Sequence, residues 1–172
     1  MNKASILKEI IEQRRSIFPK DYTDAEISQE VIDEILHSAT LAPNHKRTKP
    51  WRFKIFKGEE KAKLASEMQA IYKASQPEQL FLEKKYNDIG FKINKADAVV
   101  SIVVNFSGML PEWEEIAATS MAVQNMYLTC TANNIGCYWS SPKIVEELKD
   151  SLTIEENQQC LGLFYMGEIE SV

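Results

Sequence analysis

From Ile116 to Pro142 the chain carries no charged residue, although charged residues make up 26% of the whole. Residues 116–133 of that stretch read as a helix, with Met121, Ala122, Met126 and Cys130 among small and neutral polar neighbours. A helix without charge on any side is one buried on every side. In a chain of 172 residues one layer of neighbours can hardly cover it, so the stretch predicts a subunit interface. Asn133-Asn134 ends the helix, Gly136 opens a short strand through Trp139, and Pro142 starts a further helix over 143–151.

Upstream, Ile6, Leu7, Ile10 and Ile11 share one face of a helix over 5–13, with Arg14 and Arg15 at its C-terminal end. Thr23 and Glu26 have capping-box spacing. Ile27, Val31, Ile35 and Ala39 then give the stripe of a second helix, which Ala42-Pro43 ends. Residues 51–56 read as a strand. A charged helix over 59–73 turns Leu64, Met68 and Ile71 inward, and after Gln76-Pro77 another runs from Glu78 towards Asn87. Val99, Val100, Ile102, Val103 and Val104 give 98–106 the branched residues of a buried central strand, and 160–167 is a last apolar strand. Helices separate most strands and hairpin signals are scarce. The pattern is α+β in three layers, a single domain over 1–172. No glycine-rich loop follows a strand and opens a helix, so neither a dinucleotide fingerprint nor a P-loop is present.

A net charge of −5 argues against a general nucleic-acid binder, and the apolar runs are far too short for a membrane span. Lys3, Lys8 and Glu9 interrupt the first residues, so no signal peptide is expected. The distribution of charge is more informative than its sum. Residues 43–52 hold Lys46, Arg47, Lys49 and Arg52 and no acid, whereas after Lys149 only Asp150, Glu155, Glu156, Glu168 and Glu170 carry charge. An anionic ligand would therefore be met near the front of the chain, although a basic loop can equally be solvated surface. Cys130, Cys137 and Cys160 show no metal-ligand or CxxC spacing, and His37 and His45 belong to no zinc pattern, so no metal site is expected. Cys130 and Cys160 sit in apolar stretches and read as buried thiols, which suits a reducing cytoplasm.

Three segments could carry chemistry. Arg14-Arg15-Ser16 sets two guanidinium forks beside a hydroxyl, a grip for phosphate, but cations also favour a helix C-terminus for its own sake. Residues 42–53, APNHKRTKPWRF, form a basic loop stiffened by Pro43 and Pro50 that could lay donors against a heterocycle, or simply join a helix to a strand. In IGCYWSSP over 135–142, Gly136 permits close backbone approach, Trp139 offers an apolar wall, and Ser140 and Ser141 offer donors. The competing reading is a buried strand that turns into a helix.

In this order and spacing the segments resemble the FMN-dependent nitroreductases. Arg14-Arg15-Ser16 is similar to their opening Arg-Arg-Ser, and Ala42 to Phe53 to their Ala-Pro…Pro-Trp-Arg-Phe loop. Asn134-Ile135-Gly136 through Trp139 is similar to their late glycine strand, and 161–167 to their closing strand. Asn44-His45, with Trp113-Glu114 before the long helix, resembles the minimal, single-domain branch.

The resemblance implies a nitroreductase-like fold, a central, mostly antiparallel sheet flanked by helices, in a homodimer with flavin at the interface. By position, Arg14, Arg15 and Ser16 would hold the FMN phosphate and ribityl chain. His45 would approach from the second subunit or the pocket rim, and Trp139, Ser140 and Ser141 would line the isoalloxazine and phosphate side. It also implies ping-pong hydride transfer from NADH or NADPH to a small acceptor such as a nitro compound or quinone, with no protein acid, base or nucleophile required. The alternative is a low-turnover flavin-binding or sensing module. Two departures weaken the field around the phosphate: no base follows Lys149, and Ser140 stands where the minimal branch can carry a basic residue.

Overall fold

The computed structural model describes residues 2–148 and 150–170. Helix α1 (Lys3–Gln13) is opened by Asn2, whose side chain accepts from the Ser5 amide. Helix α2 (Gln29–Thr40) precedes β1 (Trp51–Phe56), and α3 (Gly58–Ser75) and α4 (Glu83–Lys95) separate β1 from β2 (Ala98–Asn105). Helix α5 (Glu112–Ala132) leads into β3 (Ile135–Ser140), and β4 (Gln158–Glu168) closes the fold. Glu112, Glu114 and Glu115 fill the first turn of α5, where the helix dipole favours carboxylates. Asn134, in the left-handed region at φ 56°, turns the chain from α5 into β3.

The sheet runs β1-β2-β4-β3 and every pair is antiparallel. Its two inner strands explain the unbroken branched run of the sequence, since β2 is covered on both faces. Ala98, Val100 and Ile102 join Ile32, Ile35 and Ala39 of α2 and Ala118, Ala122, Met126 and Cys130 of α5. On the other face Val99 and Val103 join Leu64, Ala65 and Met68 of α3 and Ile93 of α4. These are the three layers expected. Each fully buried aliphatic side chain in them stabilises by about 1.5–3 kcal/mol.

Helix α5 is buried on one side only. Ala118, Thr119, Ala122, Val123, Met126 and Cys130 face the sheet and α2, while Met121, 41% exposed, lies on the open side. Helix α1 packs on α5 but buries none of its own residues, and Ile6, Leu7 (53% exposed) and Ile11 stand in solvent. The uncharged helix of the sequence thus has an inner face met by its own chain and an outer one that is not.

Several local expectations need correction. Thr23 and Glu26 do not open α2. The helix starts six residues later, where the Ser28 side chain accepts from the Val31 amide at 3.3 Å, and Thr23 instead caps a tight turn by accepting from the Ala25 amide. The helix expected from Glu78 is a single 3-10 turn, Glu78–Leu80, and α4 begins at Glu83 and runs to Lys95. The helix expected over 143–151 is a 3-10 turn, Lys143–Glu147, and its Lys149 lies outside the described residues.

Gly136 does allow a close approach, but what approaches is Tyr22. A Cβ at Gly136 would come within 2.7 Å of the Tyr22 ring, and one at its cross-strand partner Gly167 within 2.4 Å. The Tyr22 hydroxyl donates to the carbonyls of Ile17 and Tyr165, which ties residues 17–22 to the sheet. A second glycine shapes the other end of β3. The β2–β4 register slips between Ile102 and Val103, leaving Leu161 unpaired as a bulge, and Gly162 adopts φ +135°. A Cβ at Gly162 would meet the Ser140 carbonyl at 2.3 Å and the Trp139 indole nitrogen at 2.6 Å. Gly162→Ala is expected to cost about 2–4 kcal/mol, from strained backbone plus a clash that backbone cannot relieve. Urea unfolding should show a lower midpoint at unchanged slope; an unchanged midpoint would mean that β3 and β4 can part here freely.

Candidate functional site

Arg14 ends α1, its amide still bonded to the Ile10 carbonyl but its ψ of 122° turning the chain outward. The Ile17 amide then donates to the Cys137 carbonyl at 3.0 Å, which lays the segment against the free edge of β3. The Arg14 guanidinium stacks over the Tyr127 ring, 5.4 Å from its centroid, and Arg15 donates from Nη1 to the Glu12 carbonyl at 3.0 Å. Neither guanidinium pairs with a carboxylate among the described residues. Ser16 Oγ lies 3.4 Å from Tyr127 Oη, which in turn accepts the Trp139 amide at 2.7 Å. The Trp139 indole N–H is spent on the Leu161 carbonyl at 3.0 Å, so this side chain offers a fixed apolar face and no free donor. Ser140 and Ser141 carry β3 out of the cluster, with hydroxyls that bond to no protein group among the described residues.

The structure therefore brings Arg14, Ser16 and Trp139 together, with Arg15, Ser140 and Ser141 flanking them. The joining residue is Tyr127, which the sequence reading passed over. It is the one tyrosine of α5, and a phenol in the uncharged, half-buried part of that helix has to find polar partners. That was the available signal.

His45 stands apart. It bonds through Nδ1 to Glu114 Oε2 at 2.8 Å, at the first turn of α5. Tyr127 is thirteen residues further on (127 minus 114), about 20 Å along the helix axis at 1.5 Å per residue. Around His45 the backbone is strained. Lys46, Arg47 and Lys49 all have positive φ, each costing roughly 1–2 kcal/mol for a non-glycine residue. The strain is held by Asn44 Oδ1, which accepts the Lys49 amide at 3.0 Å, by the His45–Glu114 pair, and by Lys46 Nζ on the Met109 carbonyl at 3.5 Å. Trp113, 68% exposed, and Met109 and Leu41, also exposed, surround this loop with uncovered apolar surface. Strained backbone and uncovered apolar side chains are both features that cluster at binding surfaces.

A profile of the nitroreductase family matches residues 11–168. The chain belongs to the nitroreductase family. YfhC of Bacillus subtilis (strain 168), provisionally designated a NAD(P)H nitroreductase, is 28% identical over 171 residues, 97% of this chain and 86% of that protein. The nitroreductase-like family protein from Bacillus cereus superposes with a TM-score of 0.79 at 23% identity, over 100% of this chain and 90% of that one. The FMN-dependent nitroreductase NfnB from Mycobacterium smegmatis, solved in complex with NADPH, does so with a TM-score of 0.77 at 16% identity, over 98% and 90%.

In this family member the acidic end of the chain keeps clear of the arginine cluster. Glu168 pairs with Ile135, at the opposite end of β3 from Trp139, about 13 Å away at 3.3 Å per residue. The carboxylates of Glu168 and Glu170 thus oppose an anion beside Arg14 less than their number suggests. Among the described residues no group of side chains could hold a metal ion, and no helix is long and apolar enough to cross a membrane.

The cysteines lie in the core. Cys130, Cys137 and Cys160 are all buried, and burial pushes the Cys130 and Cys160 thiols up, away from the reactive thiolate. An aromatic disulfide reagent is therefore expected to leave the native protein unlabelled and to titrate all three thiols after denaturation. Rapid labelling before denaturation would show that one of them is accessible and activated.

Proposed function

We propose that this chain is an FMN-dependent oxidoreductase that takes hydride from NADH or NADPH and delivers it to a small oxidised acceptor, such as a nitro compound or a quinone. The observation that carries the reading is the pair of guanidinium groups at the end of α1. Among the described residues Arg14 and Arg15 have no carboxylate partner, and Arg14 and the Ser16 hydroxyl meet at Tyr127 within a nitroreductase fold. Unpaired arginines beside a hydroxyl fit a dianionic phosphate in charge and in donor geometry, and no acid intrudes on them. Arg14, Arg15 and Ser16 hold the phosphate and ribityl chain. Trp139 presents its fixed face to the ring, and Ser140 and Ser141 offer donors beside it. Bound FMN supplies the two-electron redox chemistry, and this chain supplies grip, orientation and shelter from water. Donor and acceptor use one pocket in turn, a ping-pong order, in a protein of the reducing cytoplasm.

The working unit in this reading is a homodimer. His45 is too far along α5 to join Arg14 and Trp139 of its own subunit, so the partner's His45 closes each site. A two-fold axis beside α5 would also cover Met121 and the open face of α1.

The test is anaerobic. The purified protein should be yellow, its colour should bleach with NADH or NADPH, and a nitroaromatic compound or quinone should restore it. A yellow protein that no nicotinamide bleaches would favour a low-turnover flavin-binding module, the reading to which the absence of any base after Lys149 lends weight. A colourless protein that takes up no FMN would remove both.

A further inference from the structure

We propose that Tyr127 is a positioning residue for the anion end of the site, holding Arg14 and Ser16 in the arrangement that meets a phosphate. The proposal rests on FMN being the ligand. Three contacts converge on one side chain: the Arg14 guanidinium over its ring, the Trp139 amide on its oxygen, and Ser16 Oγ 3.4 Å from that same oxygen. The ring is fixed from behind by an edge-on contact with Phe164, centroids 5.0 Å apart.

The direction of the hydrogen bonds follows. A backbone amide can only donate, so Tyr127 Oη accepts from Trp139 and keeps its own proton to give. A phenol is a stronger donor than an aliphatic alcohol, so Tyr127 donates to Ser16 Oγ. The serine proton is then left to point away from the protein, towards an incoming phosphate oxygen. The ring acts at the same time on Arg14. A cation held over an aromatic face is pre-oriented without being neutralised, whereas a carboxylate in the same place would cancel its charge. Tyr127 thus gives an arginine and a serine a common orientation and adds no negative charge to the site.

The experiment compares FMN with riboflavin, which lacks the phosphate, on apoprotein of the wild type, Tyr127→Phe, Tyr127→Leu, Ser16→Ala and the Ser16→Ala/Tyr127→Phe double variant. Binding is read by flavin fluorescence, and thermal unfolding is recorded for each. Tyr127→Phe keeps the ring under Arg14 but loses the hydroxyl that Ser16 and the Trp139 amide share, so FMN affinity should fall about two- to tenfold, the value of one hydrogen bond, and riboflavin affinity by less. Tyr127→Leu should lose more, because the ring goes as well. In the Ser16→Ala background Tyr127→Phe should add little, since the hydroxyl acts through that serine. Equal losses for FMN and riboflavin, or fully additive single effects, would make Tyr127 a packing residue and overturn the proposal. If the wild type itself binds FMN no more tightly than riboflavin, the phosphate reading of the site fails instead.

Discussion

Arg14→Ala and Arg15→Ala are each expected to weaken FMN binding by about ten- to a hundredfold while leaving riboflavin binding almost untouched. The charge map motivates this. Past Lys149 no positive residue remains, so a dianionic phosphate is met from the front of the chain. Among the described residues both arginines are free of carboxylate partners, so neither has to break such an ion pair before engaging a ligand. A charge-assisted hydrogen bond is worth about 1.5–3 kcal/mol, and about 1.4 kcal/mol is one decade in affinity. Arg14, oriented on Tyr127, should show the larger loss; Arg15 bonds only to the Glu12 carbonyl at the surface and has more freedom to surrender on binding. Fluorescence titration of the apoproteins decides the matter. Should both variants hold FMN as tightly as the wild type, the phosphate lies elsewhere, with Lys46 and Arg47 the next basic side chains to replace.

Met121→Glu is expected to break the homodimer and release the flavin, whereas Met126→Glu is expected to unfold the subunit. The methionines lie on one helix and the sequence treats them alike. In the structure Met126 is fully buried against the sheet, while Met121 is on the open side of α5. An unpaired carboxylate forced into a core or a closed interface costs about 3–5 kcal/mol even after partial relaxation. At position 126 that cost falls on folding. At position 121 it falls on association, raising the dimer dissociation constant by about a hundred- to several thousandfold. Light scattering and sedimentation at micromolar concentration would show a folded, colourless monomer, or aggregates grown from its uncovered apolar face. A wild-type monomer at the same concentration, or a Met121→Glu dimer that keeps its FMN, would refute the shared-site reading.

Much of the fold was legible because its signals are local. The β1 strand falls on residues 51–56 as read, and β2 and β4 lie within one or two residues of their apolar runs. The stripe on α2 was recognised although its cap was not, since Thr23 and Ser28 both satisfy the chemistry of a cap and only packing chooses between them. Helix α4 continues past Asn87 through Gly90, a residue of low helix propensity, to Lys95. That glycine faces α3, where a Cβ would meet the end of the Gln69 side chain at 2.5 Å.

The sequence by itself determined the layer pattern, the uncharged stretch 116–142, though its helix starts earlier, at Glu112, the basic front and acidic end of the chain, and the segments that carry the arginines, the strained loop and Trp139. Each of these is a property of a short window, fixed by periodicity, charge or turn chemistry. Tertiary structure decided which of those segments meet. Ser16 and Tyr127 are 111 positions apart, and their contact exists because the end of α1 lies along the free edge of β3 while α5 crosses the same sheet face. The same packing spent Gly136 on Tyr22 and the Trp139 indole N–H on a bulge in β4. It set His45 on Glu114, about 20 Å along the α5 axis from Tyr127. No window of sequence contains such facts, because they depend on strand register and helix placement, which the whole core fixes at once.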